Sequence, residues 1–219
     1  MPRSAVVLAG GWTIFPAKLR ALLPFRGQPV VRWTARAMAG FADDVVVSTS
    51  HGCADVLEGV LPRRVRVVED EFIGLGPLGG LHAGAKAARY DEVAVAPCES
   101  PLSSPAFYRL LSRECRNYEG AVPFLKGAAA PYHAVYRKSP LVRALEGAIV
   151  SVEGGVGAAV AGLRIRRVGA ARIGAVGGGK MSLLEFWTPE ALRAAGEDPS
   201  LRCCPGSAAG RARPCPRRD

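Results

Sequence analysis

Long apolar runs are missing from this sequence. None approaches the roughly 20 residues a helix needs to cross a bilayer, so no membrane-spanning segment is expected. Cysteine pairs at C-x-x-C spacing are missing too. The six cysteines stand at 53, 98, 115, 203, 204 and 215, which gives little support to a structural zinc site. Aromatic residues make up 7% of the chain and do not interleave with the basic ones. The net charge of +10 therefore does not read as a nucleic-acid surface and fits acidic small substrates such as phosphates better. Five arginines against one aspartate put +4 of that charge in the last eighteen residues. There is no internal repeat. A G-x-G-x-x-G turn, which a dinucleotide-dependent dehydrogenase needs after its first strand, is also lacking, since the chain reads Gly10-Gly11-Trp12 there. The opening Met1-Pro2-Arg3-Ser4 leads straight into Ala5-Val6-Val7-Leu8 without a secretory pattern, so a cytoplasmic location is expected.

What is present is alternation. Short β-branched runs at Ala5–Leu8, Val45–Ser48, Val65–Val68, Val93–Ala96, Gly120–Pro123 and His133–Tyr136 read as strands. The early ones lack a polar face, as strands covered on both sides do. Between them, Pro29–Ala39, Ala54–Leu61, Leu78–Arg89, Pro105–Arg113, Pro140–Gly147 and Pro189–Ala195 read as helices, several opened by a proline suited to a first turn. A further short helix is expected near Val156–Gly162 and a strand near Ile165–Val168, with Gly177-Gly178-Gly179 as a flexible link. This order predicts an α/β fold, a Rossmann-like three-layer α/β/α sandwich around a mostly parallel sheet. One domain is expected over residues 1–200. From Leu201 on, Arg, Pro, Gly and Cys dominate without period, so residues 201–219 are expected to be a disordered tail whose removal leaves folding nearly intact. Cys203, Cys204 and Cys215 read as free thiols within it.

The turn after the first strand is the first chemical signal. Leu8-Ala9-Gly10-Gly11 runs a strand into two glycines, which let backbone N–H groups approach a phosphate closely. In such open sheets ligands gather at the carboxyl ends of the strands, so Gly10 and Gly11 are expected at that edge.

The stretch around this turn resembles the molybdenum cofactor guanylyltransferases and their nucleotidyltransferase relatives. After Leu8-Ala9-Gly10-Gly11, the run Ala21-Leu22-Leu23-Pro24-Phe25-Arg26-Gly27-Gln28-Pro29-Val30 is similar to that family's opening in content and spacing. Four more segments follow in the family's order: Gly76-Pro77-Leu78-Gly79-Gly80-Leu81, Pro97-Cys98-Glu99-Ser100-Pro101-Leu102, Pro131-Tyr132-His133-Ala134-Val135-Tyr136-Arg137 and Thr188-Pro189-Glu190-Ala191-Leu192. The resemblance covers about residues 5–195. It implies a fold of the nucleotide-diphospho-sugar transferase type and transfer of a nucleoside monophosphate from an NTP, GTP favoured, to a phosphorylated acceptor, molybdopterin favoured. Pyrophosphate leaves, and Mg²⁺ assists. A cytidylyl or sugar-phosphate transferase is the neighbouring alternative, because base choice would lie in the Gly11–Phe15 and Leu75–Gly80 loops.

The resemblance also carries departures. Phe15 stands at the loop arginine, Ala17 at the loop glycine and Arg20 at the lysine; Glu99 stands at the metal-binding aspartate, and Glu185 and Trp187 at two asparagines. Ionisable replacements at one place argue for retained chemistry, whereas the altered loop argues for a regulatory homologue that binds nucleotide without turnover. The residues carried over are Lys18, Arg20 and Glu99 as catalytic groups. Leu8, Ala9, Gly10, Gly11, Lys18, Arg20, Asp70, Gly76, Pro77 and Leu78 are carried over for the nucleotide, and Glu99 and Glu185 for the metal. Lys18, Arg20 and Glu99 are expected to face one cleft. Asp70, between Glu69 and Glu71, reads equally as part of a solvated acidic cluster. His133 is expected to be a structural partner inside a strand, and Phe186 and Trp187 to be core.

Overall fold

In a computed structural model, the structure describes residues 1–11, 19–151 and 154–201. Lys18, Phe15 and Ala17, and the tail beyond Leu201, lie outside the described residues. Strand β1 (Ser4–Leu8) is followed by a small hairpin of β2 (Pro24–Phe25) and β3 (Gln28–Pro29), then α1 (Val30–Ala39), β4 (Asp44–Thr49), α2 (Ala54–Glu58) and β5 (Arg66–Glu69). Next come α3 (Pro77–Ala87), β6 (Glu92–Pro97), α4 (Pro105–Glu114), β7 (Gly120–Leu125), β8 (Ala128–Ala129) and β9 (Ala134–Arg137). The chain ends through α5 (Lys138–Ser151), α6 (Val156–Ala161), β10 (Ile165–Gly169), α7 (Ala170–Gly174) and α8 (Pro189–Glu197).

The main sheet has the order β10-β7-β9-β6-β1-β4-β5, with β8 paired to β7. β1 is parallel to β4 and β6, β4 to β5, and β10 to β7; β9 runs antiparallel to both β6 and β7. The expected mostly parallel α/β sheet is what forms. Alternation along the buried strands builds its two faces. Ala5 and Val7 of β1, with Ala94 and Ala96 of β6, pack into one core under α1 and α4, and Val6, Val93 and Val95 pack into another under α3 and α5. Helix α3 comes very close to the sheet, since a Cβ on Gly84 would overlap the Val6 side chain.

The glycine run expected to be a loose link is pinned instead. The Ser104 hydroxyl donates to the Gly177 carbonyl at 2.7 Å, and Gly178, at φ +73°, packs against Ser104. A positive φ of that kind is why glycine is needed there.

At the amino ends of the strands, Asp44 ties four segments together. Its carboxylate accepts hydrogen bonds from the Ser4 hydroxyl at 2.7 Å, the Arg66 guanidinium at 2.7 Å and the Arg89 amide at 3.0 Å. Burial works to raise its pKa, but the Arg89 amide, the Arg66 guanidinium and the Ser4 hydroxyl together carry it below the ordinary carboxylate value. Asp44→Ala leaves those donors unmatched and is expected to cost about 2 kcal/mol of unfolding free energy, read by urea titration. Because the folded pKa is depressed, this stabilisation is present above the unfolded value near 3.9 and is lost as pH falls below it through the lower folded value. The wild type should therefore lose more stability in that acid window than the variant does. Equal losses would exclude Asp44 as the source.

Candidate active site

Three parallel strands deliver their carboxyl ends to one edge. The Ala9 amide donates to the Ser48 carbonyl at 2.7 Å, and the Cys98 amide donates to the Leu8 carbonyl at 2.9 Å. These bonds lock the loops after β1, β4 and β6 side by side. Gly10 is held by the Ser50 hydroxyl, which donates to its carbonyl at 2.8 Å, and a Cβ on Gly10 would press that hydroxyl at 3.0 Å. The Arg20 amide closes back on the Gly11 carbonyl at 2.8 Å. The Arg20 guanidinium then lies over Gly11 so closely that a Cβ there would overlap it. Small size at Gly11 thus makes room for a cation beside the turn.

Arg20 Nε sits 2.9 Å from Glu99 Oε1, and the Glu99 side chain is 6% exposed. The contact is one of charge. The Nε–H is not aligned on the carboxylate and has no hydrogen-bond partner among the described residues. Beyond Glu99, the Phe186 amide donates to the Glu99 carbonyl at 3.0 Å and draws the segment before α8 into the site. This brings up Glu185, whose Oε1 lies 2.7 Å from His133 Nε2 and whose Oε2 accepts from Trp187 Nε1 at 2.7 Å. Burial acts to raise the Glu185 pKa. The His133 and Trp187 bonds and the nearby charge of Arg20 outweigh it and leave the carboxyl below its ordinary value.

On the other side, the Asp70 amide donates to the Thr49 carbonyl at 2.9 Å, and its carboxylate accepts from the Phe72 amide at 2.8 Å. That carboxylate lies so close over Gly79 at the start of α3 that a Cβ there would overlap it. Burial raises the Asp70 pKa against the opposing pull of the Phe72 amide and His82.

These groups line one cleft of about 610 Å³. Of the residues expected from sequence, Leu8, Ala9, Gly10, Gly11, Arg20, Asp70, Gly76, Pro77, Glu99 and Glu185 all line it. Leu78 does not: it is buried in the core under α3, because the first turn of that helix points Pro77 at the cleft and Leu78 at the sheet. His133 is buried and partnered as expected, one residue before β9 rather than inside a strand. Trp187 is the clear correction. Read as core, it is 60% exposed and lines the cleft, because its indole N–H is fixed on Glu185 while Phe186 takes the inward position. Sequence reasoning missed Ser48, Thr49, Ser50 and His51, which follow one another at the end of β4 and line the cleft. The signal was there, as three hydroxyl residues ending an otherwise apolar strand. The Ser48 and Thr49 hydroxyls are buried and have no hydrogen-bond partner among the described residues.

Among the described residues, no group of three or more His, Cys, Asp and Glu side chains stands close enough to hold a metal by itself. No helix among them is long and apolar enough to cross a membrane.

Residues 5–165 match the family model of the MobA-like NTP transferase domain. The chain is 30% identical over 199 residues to a protein of Methanothermobacter thermautotrophicus described as a probable molybdenum cofactor guanylyltransferase, spanning 87% of this chain and 97% of that one. A similarly described protein of Pelotomaculum thermopropionicum is 31% identical over 143 residues, 65% of this chain and 67% of that one. Among solved structures, a molybdopterin-guanine dinucleotide biosynthesis protein A from Archaeoglobus fulgidus superposes with a TM-score of 0.75 at 19% identity, covering 89% of this chain and 97% of that one. A 4-diphosphocytidyl-2C-methyl-D-erythritol synthase from Anaerococcus prevotii gives 0.68 at 12% identity, over 89% and 96%. At those identities the structures speak for the fold.

Proposed function

This chain belongs to the MobA-like NTP transferase family and is a nucleotidyltransferase, and from that premise we propose that it carries the guanylyl group of GTP to the phosphate of molybdopterin. A phosphate oxygen of the acceptor attacks the α-phosphorus, the bond from that phosphorus to the bridging oxygen breaks, and pyrophosphate leaves with the electron pair. A phosphate monoester is already anionic near neutral pH, so the attack needs no general base. What it needs is positioning and charge neutralisation.

The observation that carries this reading is the set of groups converging on one edge of the sheet: the Gly10-Gly11 turn, the Arg20 guanidinium and the Glu99 carboxylate. The turn's amides would hold phosphate oxygens. Arg20 would neutralise charge as it grows in the transition state, and Asp70 with Gly76 and Pro77 would receive the nucleoside end. Leu8 and Ala9 shape the floor. Lys18, outside the described residues, is proposed as a second cation of the same loop.

The donor set suits Mg²⁺. That ion keeps several waters, takes one or two carboxylates and draws its remaining ligands from substrate phosphates, and the cleft offers the buried carboxylate of Glu99. Glu99 is assigned the direct contact. Bound there, the ion would offset the charge of the triphosphate. Glu185 has each oxygen in one hydrogen bond, to His133 and Trp187, which fixes its carboxylate beside the site and leaves a lone pair on each oxygen.

The test is calorimetry of GTP, CTP, ATP and UTP with Mg²⁺, together with pyrophosphate release in the presence of molybdopterin. GTP is expected to bind most tightly and to release pyrophosphate only with acceptor. Tighter CTP would move the assignment to a cytidylyltransferase. Binding without release under any acceptor would favour the regulatory reading.

A further inference from the structure

Two large apolar side chains among the described residues are both exposed and part of the cleft: Ile73, 81% exposed, and Trp187, 60% exposed. They stand at opposite ends. Ile73 follows Asp70 on the β5 side, where the nucleoside is placed, and Trp187 stands on the β6–β9 side with Tyr132. The Gly10-Gly11 turn and the Arg20–Glu99 pair lie between them, at the end of β1 and across to β6. In an in-line displacement the acceptor arrives opposite the leaving pyrophosphate, with the nucleoside to one side; with the nucleoside at the Asp70 end and the phosphates on the glycine turn and Arg20, the end of the cleft left for the acceptor is that of Trp187. Trp187 therefore belongs to the acceptor's end.

The indole is also held in place. Its N–H is spent on Glu185 Oε2 at 2.7 Å, and Glu185 is in turn held by buried His133 at 2.7 Å. An exposed tryptophan without such a tether samples several rotamers, and ordering one of them costs entropy on binding. Here that ordering is already done, by a buried imidazole acting through a carboxylate. A side chain fixed with its N–H turned to the protein and more than half its surface open to the cleft presents a π-face. The asparagine that the resemblance puts at this position has no ring to offer.

We propose that Trp187 is a stacking platform for a flat heteroaromatic ring on the phosphate acceptor, and that Glu185 and His133 are positioning residues that set the angle of that platform. This rests on the transferase reading for the side from which the acceptor enters, and adds what the acceptor must look like. It needs a planar ring system near its phosphate, as a pterin has and a sugar phosphate lacks. The role also accounts for Glu185 without a metal.

The test uses the full chain and neopterin as the ring probe, with ribose 5-phosphate as a phosphate without a ring, each titrated calorimetrically without nucleotide, and GTP titrated separately. Aromatic stacking on a single ring contributes enough to change affinity by about tenfold or more. Trp187→Ala should weaken neopterin at least tenfold and leave ribose 5-phosphate and GTP unchanged, while Trp187→Phe, which keeps a ring, stays within about threefold of wild type. Glu185→Ala should weaken neopterin, and Glu185→Gln, whose carbonyl still accepts the indole N–H, should restore it. A merely structural role for Glu185 would give no such rescue. Because Trp187 is exposed, its variants should fold, which the unchanged GTP titration checks. Neopterin that fails to bind the wild type, or binds Trp187→Ala equally well, overturns the platform. GTP weakened in step with neopterin would put the nucleoside base on Trp187 and overturn it as well. Neopterin binding that depends on Trp187 in a chain that takes up no GTP would sustain the platform and overturn the transferase reading instead.

Discussion

Arg20→Ala is expected to lower turnover by about a hundred- to a thousandfold, the range found when one group aimed at a developing oxyanion is removed. Arg20 is the cation that the structure sets beside the glycine turn, over Gly11 and 2.9 Å from Glu99. In the ground state its charge is partly offset by that carboxylate, so GTP affinity should fall by less than turnover does. In the transition state, charge concentrates on the phosphate oxygens and the guanidinium is worth more. Arg20→Lys separates charge from shape. A lysine keeps the charge as a single point and loses the planar fork, and a lysine is what the resemblance places here. If charge alone matters, Arg20→Lys should recover most of the rate, to within about tenfold of wild type. If only arginine works, its fork must bridge Glu99 and the substrate at once. Steady-state kcat and KM for GTP on the three proteins decide this, and an unchanged kcat for Arg20→Ala would remove Arg20 from the catalytic groups.

The middle of the sheet was legible because strands β1, β4 and β6 announce themselves twice, by short apolar runs and by the lack of a polar face. Both signals come from burial on two sides, so strands β1, β4 and β6 were placed to within a residue or two. The antiparallel run of β9 was not legible, because direction depends on the path of the preceding chain, here the turn from β8 through Pro131 to His133. Within the site, the glycine turn Gly10-Gly11 and the helix opening Gly76-Pro77 could be picked out from local sequence, and all four line the cleft, Gly76 at φ +54°. Side chains that depend on a distant partner could not. Trp187 looks like any core tryptophan until Glu185 claims its N–H and Phe186 fills the core in its place. Leu78 failed the other way: its neighbours Gly76 and Pro77 line the cleft, but helical geometry turns that one residue inward. Ser48 and Thr49 were passed over because a hydroxyl at a strand end is common, and only their lack of a hydrogen-bond partner among the described residues makes these two notable.

Glu99→Ala is expected to remove the effect of Mg²⁺ on GTP binding altogether. In the wild type the buried carboxylate does two opposing things. It attracts a divalent cation that arrives with the triphosphate, and it competes with the triphosphate for Arg20 at 2.9 Å. Without Mg²⁺ only the competition remains, so removing Glu99 should free Arg20 for a phosphate oxygen. A hydrogen bond to a charged group contributes about 1.5–3 kcal/mol. The variant should therefore bind GTP without Mg²⁺ more tightly than the wild type does, by roughly tenfold or more. With Mg²⁺ the order should reverse, because the wild type gains the ion and the variant gains nothing. Turnover in the variant should fall by about a hundredfold or more, since charge on the leaving pyrophosphate is no longer offset. Glu99→Asp, the residue that the resemblance places here, keeps a carboxylate and should keep the dependence on Mg²⁺. Calorimetry of GTP on wild type and Glu99→Ala, each with and without Mg²⁺, gives four affinities whose crossing order carries the argument. Four equal affinities would mean that no ion is held through Glu99. A variant weaker than the wild type in both conditions would mean that Glu99 holds Arg20 in its binding position rather than competing for it.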